Sequence, residues 1–450
     1  MIIGLNVDGT SAGIERVTTF VIRPQNSPDL GLPLRYMVAG MLGLLSFSAA
    51  VPWLAQQLLL TNDSPQVFAL THVAVLGWVT MVMMGALYQL FPVALSGQIR
   101  SPKLGRWNFW LYLIGIVGFV PSFYQAWTVG MAVFGALVVG AIAHFVVQLL
   151  RSYPSVKVWH PMAYYLLAAL GWLVVTICLG FVYVLDWRFG WFVITNPMLA
   201  AHAHIGLAGW LSLTLMGVSY RLMALFSLAH GHDHRPALVN LILWNAGLIA
   251  LVFGLIFWPT SAVATVAASV LALSALVFVL DMFLLFHKRR RKDVTLEQWH
   301  TFVSLASLLV AAAMGILLVS GHPLTSTWVV AYGYVVIVGW FGFSIVGKYY
   351  KIIPFLTWLH HYSRSAGRGP LPLLKDLVDS RLAWFSFVVL LLGYVGVLGG
   401  LLGSDLTLVR VCGLVFFLGA LAHVVNILQT LMPWQWRNPR MAVGVKQQTP

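Results

Sequence analysis

The stretch THVAVLGWVTMVMMGALYQLFP, residues 71–92, holds no Asp, Glu, Lys or Arg and is long enough to cross a bilayer as one helix. Crossing roughly 30 Å of hydrocarbon takes about 20 residues at 1.5 Å each. Its landmarks are His72, the pair Gly77-Trp78, Gly85 and Tyr88. They return at the same spacing as His204, Gly209-Trp210, Gly217 and Tyr220, and again as Tyr334, Gly339-Trp340, Gly347 and Tyr350. Several positions matched at fixed spacing in three copies argue for a repeat rather than for chance recurrence of Gly-Trp pairs.

Working outward, each copy is the second helix of a four-helix block. The first helices of the second and third blocks open on Trp159-His160 and Trp299-His300, and the fourth helices of the first and third share Ala143-His144 and Ala422-His423. The spacing predicts an all-α membrane protein with spans at 35–58, 68–92, 107–127, 130–150, 159–181, 199–223, 238–258, 260–287, 299–320, 327–353, 383–402 and 407–432. Three pseudo-threefold repeats follow, at 35–158, 159–298 and 299–432, flanked by segments 1–34 and 433–450.

Composition agrees. The chain is 60% hydrophobic and 8% charged, with a mean hydropathy of +0.88, whereas a soluble domain carries about 25% charge. Without water in the bilayer core, the backbone of such runs must satisfy itself as helix. The net charge of +14 does not indicate nucleic acid, because the cations gather in loops on one side. These include Arg100, Lys103, Arg106, Arg151, Lys157, Arg235, Lys288 to Lys292, Lys351, Arg364, Arg368 and Lys375, with Arg16, Arg23, Arg437 and Arg440 in the termini. The opposite loops carry Asp63, Asp186 and Asp405, with Arg188 nearly alone as a cation. This asymmetry puts both termini in the cytoplasm of a multi-pass cell-membrane protein. Cys178 and Cys412 lie far apart in apolar runs and suggest neither a disulfide framework nor a CxxC site.

The chemistry-bearing residues are histidines at membrane depth, where ionisable groups are rare and usually functional. His72 and His204 sit near the outer ends of their helices, and His202, two residues before His204, faces another way. A neutral imidazole on a rigid helix suits haem iron, copper or zinc. It equally suits a hydrogen bond to a neighbouring helix. Tyr334 occupies the third equivalent position, as a weak ligand or a neighbour. Arg188, between Trp187 and Trp191, is either a propionate partner or an interfacial anchor. His230, His232 and His234 form a short tract of the kind that binds metal, or a solvated loop. His144 and His423, each with an amide one turn on at Gln148 or Asn426, suit interhelical hydrogen bonds or a ligand role; His300 and His322 are loop-edge residues, and His360-His361 is mainly structural. Asp281 is the one carboxylate expected well inside a span.

Twelve helices in three repeats, with histidines on the second and sixth, resemble subunit I of the haem–copper oxidases and nitric oxide reductases. The segment from Ala201-His202-Ala203-His204 to Arg235-Pro236 is also similar to the histidine-bearing helix of NnrS-type membrane proteins linked to nitric oxide stress. The resemblance implies that His72 binds a low-spin haem and that His202 or His204 stands where the oxidases bind copper. It departs at helix ten, where Tyr332-Gly333-Tyr334 replaces His-x-His, and at helix seven, which has no histidine between Val239 and Trp258. The expectation is a haem-binding protein of respiratory or nitric-oxide metabolism without the usual binuclear centre, holding haem b, with copper as the candidate second metal. It would receive electrons from a cytochrome or similar subunit. The alternatives are a non-enzymatic haem or copper handling, sensing or assembly protein, and a transporter, whose repeats usually come in twos with broken helices.

Overall fold

The computed structural model describes residues 30–157, 159–229, 231–290, 293–322, 324–363 and 371–432. Within them lie twelve helices long and apolar enough to cross a membrane: α1 (Gly31–Trp53), α2 (Pro65–Leu95), α3 (Pro102–Tyr124), α4 (Thr128–Ser155), α5 (Pro161–Phe189), α6 (Asn196–Ser227), α7 (Arg235–Phe257), α8 (Ala262–His287), α9 (Leu296–Val319), α10 (Ser326–His361), α11 (Ser380–Leu402) and α12 (Leu406–Leu431). Among the described residues there is no strand. Arg16, Arg23, Arg291, Lys292, Arg364, Arg368, Arg437 and Arg440 fall outside the described residues.

Local chemistry sets the helix starts. Ser64 and Ser101 accept hydrogen bonds from the amides of Val67 and Leu104, each ahead of a proline at the first helical position. Asp379 and Asp405 cap α11 and α12 in the same way. Such caps satisfy orphan amides, and proline costs nothing where no amide donor is needed. Two spans outrun the sequence reading. α5 continues to Phe189 and α10 to His361, so Arg188 sits in the last turn of a helix rather than in a loop. α5 runs on because Tyr183, Val184 and Asp186 are buried there, and it stops at Gly190, whose φ of +67° is a left-handed cap.

The helices close into a ring. Within each block the first helix packs on the second and the third on the fourth. Each fourth helix packs on the next first helix, α4 on α5 and α8 on α9, and α12 returns to α1. In α2, α6 and α10 the α-helical ladder gives way to eight-residue π-helical segments, at Val73–Thr80, Ile205–Ser212 and Val335–Gly342. They begin directly after His72, His204 and Tyr334. A π-turn frees carbonyls, and side chains of neighbouring helices use them. Tyr112 Oη donates to Leu76 O (3.2 Å), Trp244 Nε1 to Ala208 O (2.9 Å) and Ser304 Oγ to Trp340 O (2.6 Å).

Each of the three repeated tryptophans reaches a residue two positions past another of them. Trp210 Nε1 donates to Thr80 Oγ1 at 3.2 Å and Trp340 Nε1 to Ser212 Oγ at 3.1 Å. The matching position for Trp78 is Gly342, where a Cβ would fall 2.7 Å from the Trp78 ring, and Trp78 Nε1 has no partner. Indole, hydroxyl and glycine thus follow one another around a common centre.

Close approach of α1 to α2 depends on Gly43, where a Cβ would lie 2.3 Å from the carbonyl oxygen of Gly77. Backbone cannot yield as a side chain does. Gly43→Ala should therefore destabilise the bundle by about 1–3 kcal/mol, read as a lower thermal midpoint in detergent. An unchanged midpoint would mean that the two helices are not held this close.

Candidate functional site

α2, α5, α6 and α10 enclose a cavity of about 690 Å³ that opens at the end opposite the basic loops, within the roughly 300–1,000 Å³ of cofactor pockets. Its walls are largely apolar, and its polar lining includes His72, His202, His204, Tyr332 and Tyr334.

His72 and His204 are held alike. His72 Nδ1 lies 2.7 Å from the carbonyl oxygen of Phe68, and His204 Nδ1 lies 2.8 Å from that of Ala200, each one turn back. A carbonyl only accepts, so both rings carry their proton on Nδ1 and keep the Nε2 lone pair. That is the arrangement by which proteins fix a ligating imidazole. The His72 ring stacks on Phe123 (4.8 Å between centroids, 15° between planes) and meets the edge of Phe119. His204 Nε2 is 3.1 Å from Tyr332 Oη, with the two rings stacked at 5.8 Å. The tyrosine hydroxyl is the donor in that pair.

His202 turns instead toward α5. A Cβ on Gly180 would lie 2.8 Å from its Cε1, so glycine makes room for the imidazole, and Nδ1 is buried without a partner. Tyr334 stacks on Tyr394 at 5.6 Å, its hydroxyl likewise unpartnered. Tyr332, which the sequence reading passed over, is the residue that meets His204. Its signal was its place in the Tyr-x-Tyr that stands for His-x-His. Arg188 is exposed, 5.6 Å from the Phe189 ring centre, and does not line the cavity, although Trp187 does.

At the basic end, His232 pairs with Asp281 at 2.8 Å. The His234 ring is 4.6 Å from His160 and 6.2 Å from His232. His230 lies outside the described residues. Among the described residues no group of three or more His, Cys, Asp or Glu side chains could hold a metal ion. His160 Nδ1 accepts from the Met162 amide, capping α5. Burial, then the neighbouring His234 and Arg221, push the His160 pKa down to about 3. Burial, with His232 next, lowers that of His234. In the unfolded chain a histidine takes a proton near pH 6.5, which the buried His160 ring refuses, so stability falls as pH drops below about 6.5, by at most ~1.4 kcal/mol per unit from this ring. His160→Asn, which keeps a capping side chain, should flatten the loss of thermal midpoint between about pH 7.5 and pH 5.5. An equal slope in variant and parent would remove His160 from the account.

Two sequence expectations change. His300 is not a loop-edge residue but wholly buried in α9. The interhelical hydrogen bonds suggested for His144 and His423 do not form at His144 Nδ1 or at either ring nitrogen of His423, and Asn426 bonds the backbone of Asp379 instead. Side-chain rotation about the helix axis, which hydropathy does not report, decides each case.

Residues 30–159 match the family described as cytochrome c and quinol oxidase polypeptide I. None of the curated proteins matches the chain. Thirty chains of solved structures match it. One is a haem–copper terminal oxidase dimer known from cryo-electron microscopy, with a TM-score of 0.65 at 12% identity, over 90% of this chain and 84% of that one. The chain thus shares the fold of that oxidase, and its residues 30–159 are similar to polypeptide I of the cytochrome c and quinol oxidases.

Proposed function

We propose that the protein binds a b-type haem in the α2–α5–α6–α10 cavity and serves respiratory or nitric-oxide metabolism by redox or gas-binding chemistry, without reducing oxygen at a binuclear centre. One observation carries this reading: His72 and His204, on different helices, have Nδ1 locked to a backbone carbonyl and keep Nε2 as a donor toward one cavity. The donor set fits the group. Imidazoles are axial ligands of haem iron, and apolar walls suit a macrocycle. His72 would be one ligand and His204 the other, after Tyr332 yields its hydrogen bond; His202 is the replacement if Tyr332 does not yield. Bound haem would supply a one-electron couple or a site for a small gas. Arg188, exposed at the same end of the bundle, would meet a propionate only by leaving Phe189. Copper at His202 or His204 would need ligands beyond these two.

The lack of a histidine between Val239 and Trp258, and Tyr332-Gly333-Tyr334 in place of His-x-His, support the absence of a normal oxygen-reducing centre. The basic loops support cytoplasmic termini and a cavity open to the opposite side, where an electron-transfer partner would dock. The recurrent π-turns, glycine contacts and tryptophan contacts support three repeats about a pseudo-threefold axis. The Tyr332 hydrogen bond on His204 favours a second reading, a haem-handling or sensing protein whose sixth position is gated. A pyridine haemochrome spectrum with metal analysis of the purified chain tests the proposal. A haem b spectrum near one per chain is expected; a colourless protein carrying only copper or zinc would overturn it.

A further inference from the structure

Each four-helix block carries a row of three rings near its basic end, from its first, second and fourth helices. In the first block Tyr36 lies 5.5 Å from Tyr88, and Tyr88 5.5 Å from Phe145. In the second the distances are 5.6 Å for Tyr165–Tyr220 and 5.6 Å for Tyr220–Phe278. In the third, His300 lies 6.0 Å from Tyr350, and Tyr350 5.1 Å from His423. The second contact is edge-on each time, at 80°, 82° and 80°. The frame is the same in all three: a Cβ on Gly85, Gly217 or Gly347 would fall 2.6 Å from the Cβ of Tyr36, Tyr165 or His300. The counterpart of His423 is thus Phe145, not His144.

In the first two blocks the polar tip of the first ring is satisfied. Tyr36 Oη donates to Gly105 O (3.2 Å) and accepts from Asn108 (3.3 Å); Tyr165 Oη donates to Ala237 O (2.9 Å) and accepts from Asn240 (3.0 Å). The third block has Ser386 in place of that asparagine, and its hydroxyl turns away to Gly419 O (3.0 Å). His300 and His423 are 0% exposed, and none of their four ring nitrogens has a protein partner. Beside them Lys348 Nζ donates to the Glu297 carboxylate and to Thr301 Oγ1 (3.2 Å), and Glu297 Oε2 is unpartnered. The other blocks have Ala86 and Val218 at the Lys348 position, and Pro33 and Met162 at that of Glu297.

The first block therefore fills this corner with carbon and bonded phenols, the second adds the Asp281 carboxylate paired with His232, and the third fills it with four ionisable groups. An unsatisfied buried polar atom keeps the full cost of losing its water, and buried polar groups of this kind are satisfied by ordered water. We infer that His300 and His423, with the Lys348–Glu297 pair, form a hydrated proton-exchange site served from the basic end. The site lies near the surface: His300 is about 6 Å along α9 from its first residue, Leu296. Other titratable groups around it are Tyr349, whose hydroxyl donates to Met37 O of α1 at 2.8 Å, and Tyr350; α11 contributes the Phe387 ring, 4.7 Å from His300. In the exchange a hydrated proton adds to an imidazole nitrogen of His300 or His423 and water takes it back, while the Lys348–Glu297 pair keeps its charges; no electron moves. The site is at the opposite end from the cavity, and the inference does not depend on haem.

The test uses the full chain, labelled with [15N]histidine, in phosphatidylcholine vesicles and studied by nuclear magnetic resonance. His300→Tyr and His423→Phe, which install the ring types of the other blocks, assign the two signals; His300→Gln and His423→Gln serve if those do not fold. Ring N–H exchange with bulk water, and protonation of at least one ring above about pH 5, are the expected results. Two rings locked in one neutral tautomer without solvent exchange would overturn the inference.

Discussion

The His72→Ala protein is expected to purify with haem occupancy reduced roughly tenfold or more, since even the loss of an outer-shell partner costs a site 10–100-fold in affinity. His204→Ala should shift the Soret and alpha bands or release the haem as well. The argument is one of preorganisation. The Nδ1 contacts to Phe68 and Ala200 hold each ring in one tautomer and direction, and Phe123 stacks behind His72 at 4.8 Å. Alanine removes the donor atom and leaves the apolar wall, so folding should persist while the cofactor does not. Tyr332→Phe separates the two readings. Loss of its hydrogen bond to His204 Nε2 should strengthen binding if Tyr332 is a gate. Wild-type spectra in both histidine variants would sink the ligand assignment.

Glu297→Ala should cost the fold about 3–5 kcal/mol, because it leaves the buried Lys348 charge without its counter-ion, which water at the site does not replace. Glu297 is 1% exposed and Lys348 6%, and Thr301 Oγ1 is the remaining partner of Lys348. Adding Lys348→Met, close in volume and apolar, should recover most of the loss, since replacing both ions of a buried pair is often neutral or stabilising. Thermal unfolding of the two variants in one detergent decides it. A single variant as stable as the parent would show that Lys348 finds water or another anion there.

The apolar runs were legible because each is a property of neighbouring residues. The twelve spans followed from length and hydropathy, whereas the helix starts at Pro65, Pro102 and Pro161 are set by the capping residues before them, which hydropathy does not weigh. The Gly-Trp spacing was legible too, as a recurrence. Its meaning was not, because a tryptophan that reaches a hydroxyl on the next block does so across 130 or 128 residues.

The candidate site divided in the same way. His72 and His204 stood out by residue type and spacing, and His202 by its offset of two. That Tyr332 meets His204, that Gly180 makes room for His202, and that Arg188 turns to Phe189 depend on how α5, α6 and α10 are rotated against one another. The π-turns after His72, His204 and Tyr334 shift that rotation without any signal in composition. By itself, then, the sequence determined a membrane bundle of twelve helices, since lipid imposes a one-dimensional requirement on each run. Which polar groups meet inside was decided only by the tertiary structure, because a buried hydrogen bond or ion pair depends on the register of two helices, and hydropathy is blind to register.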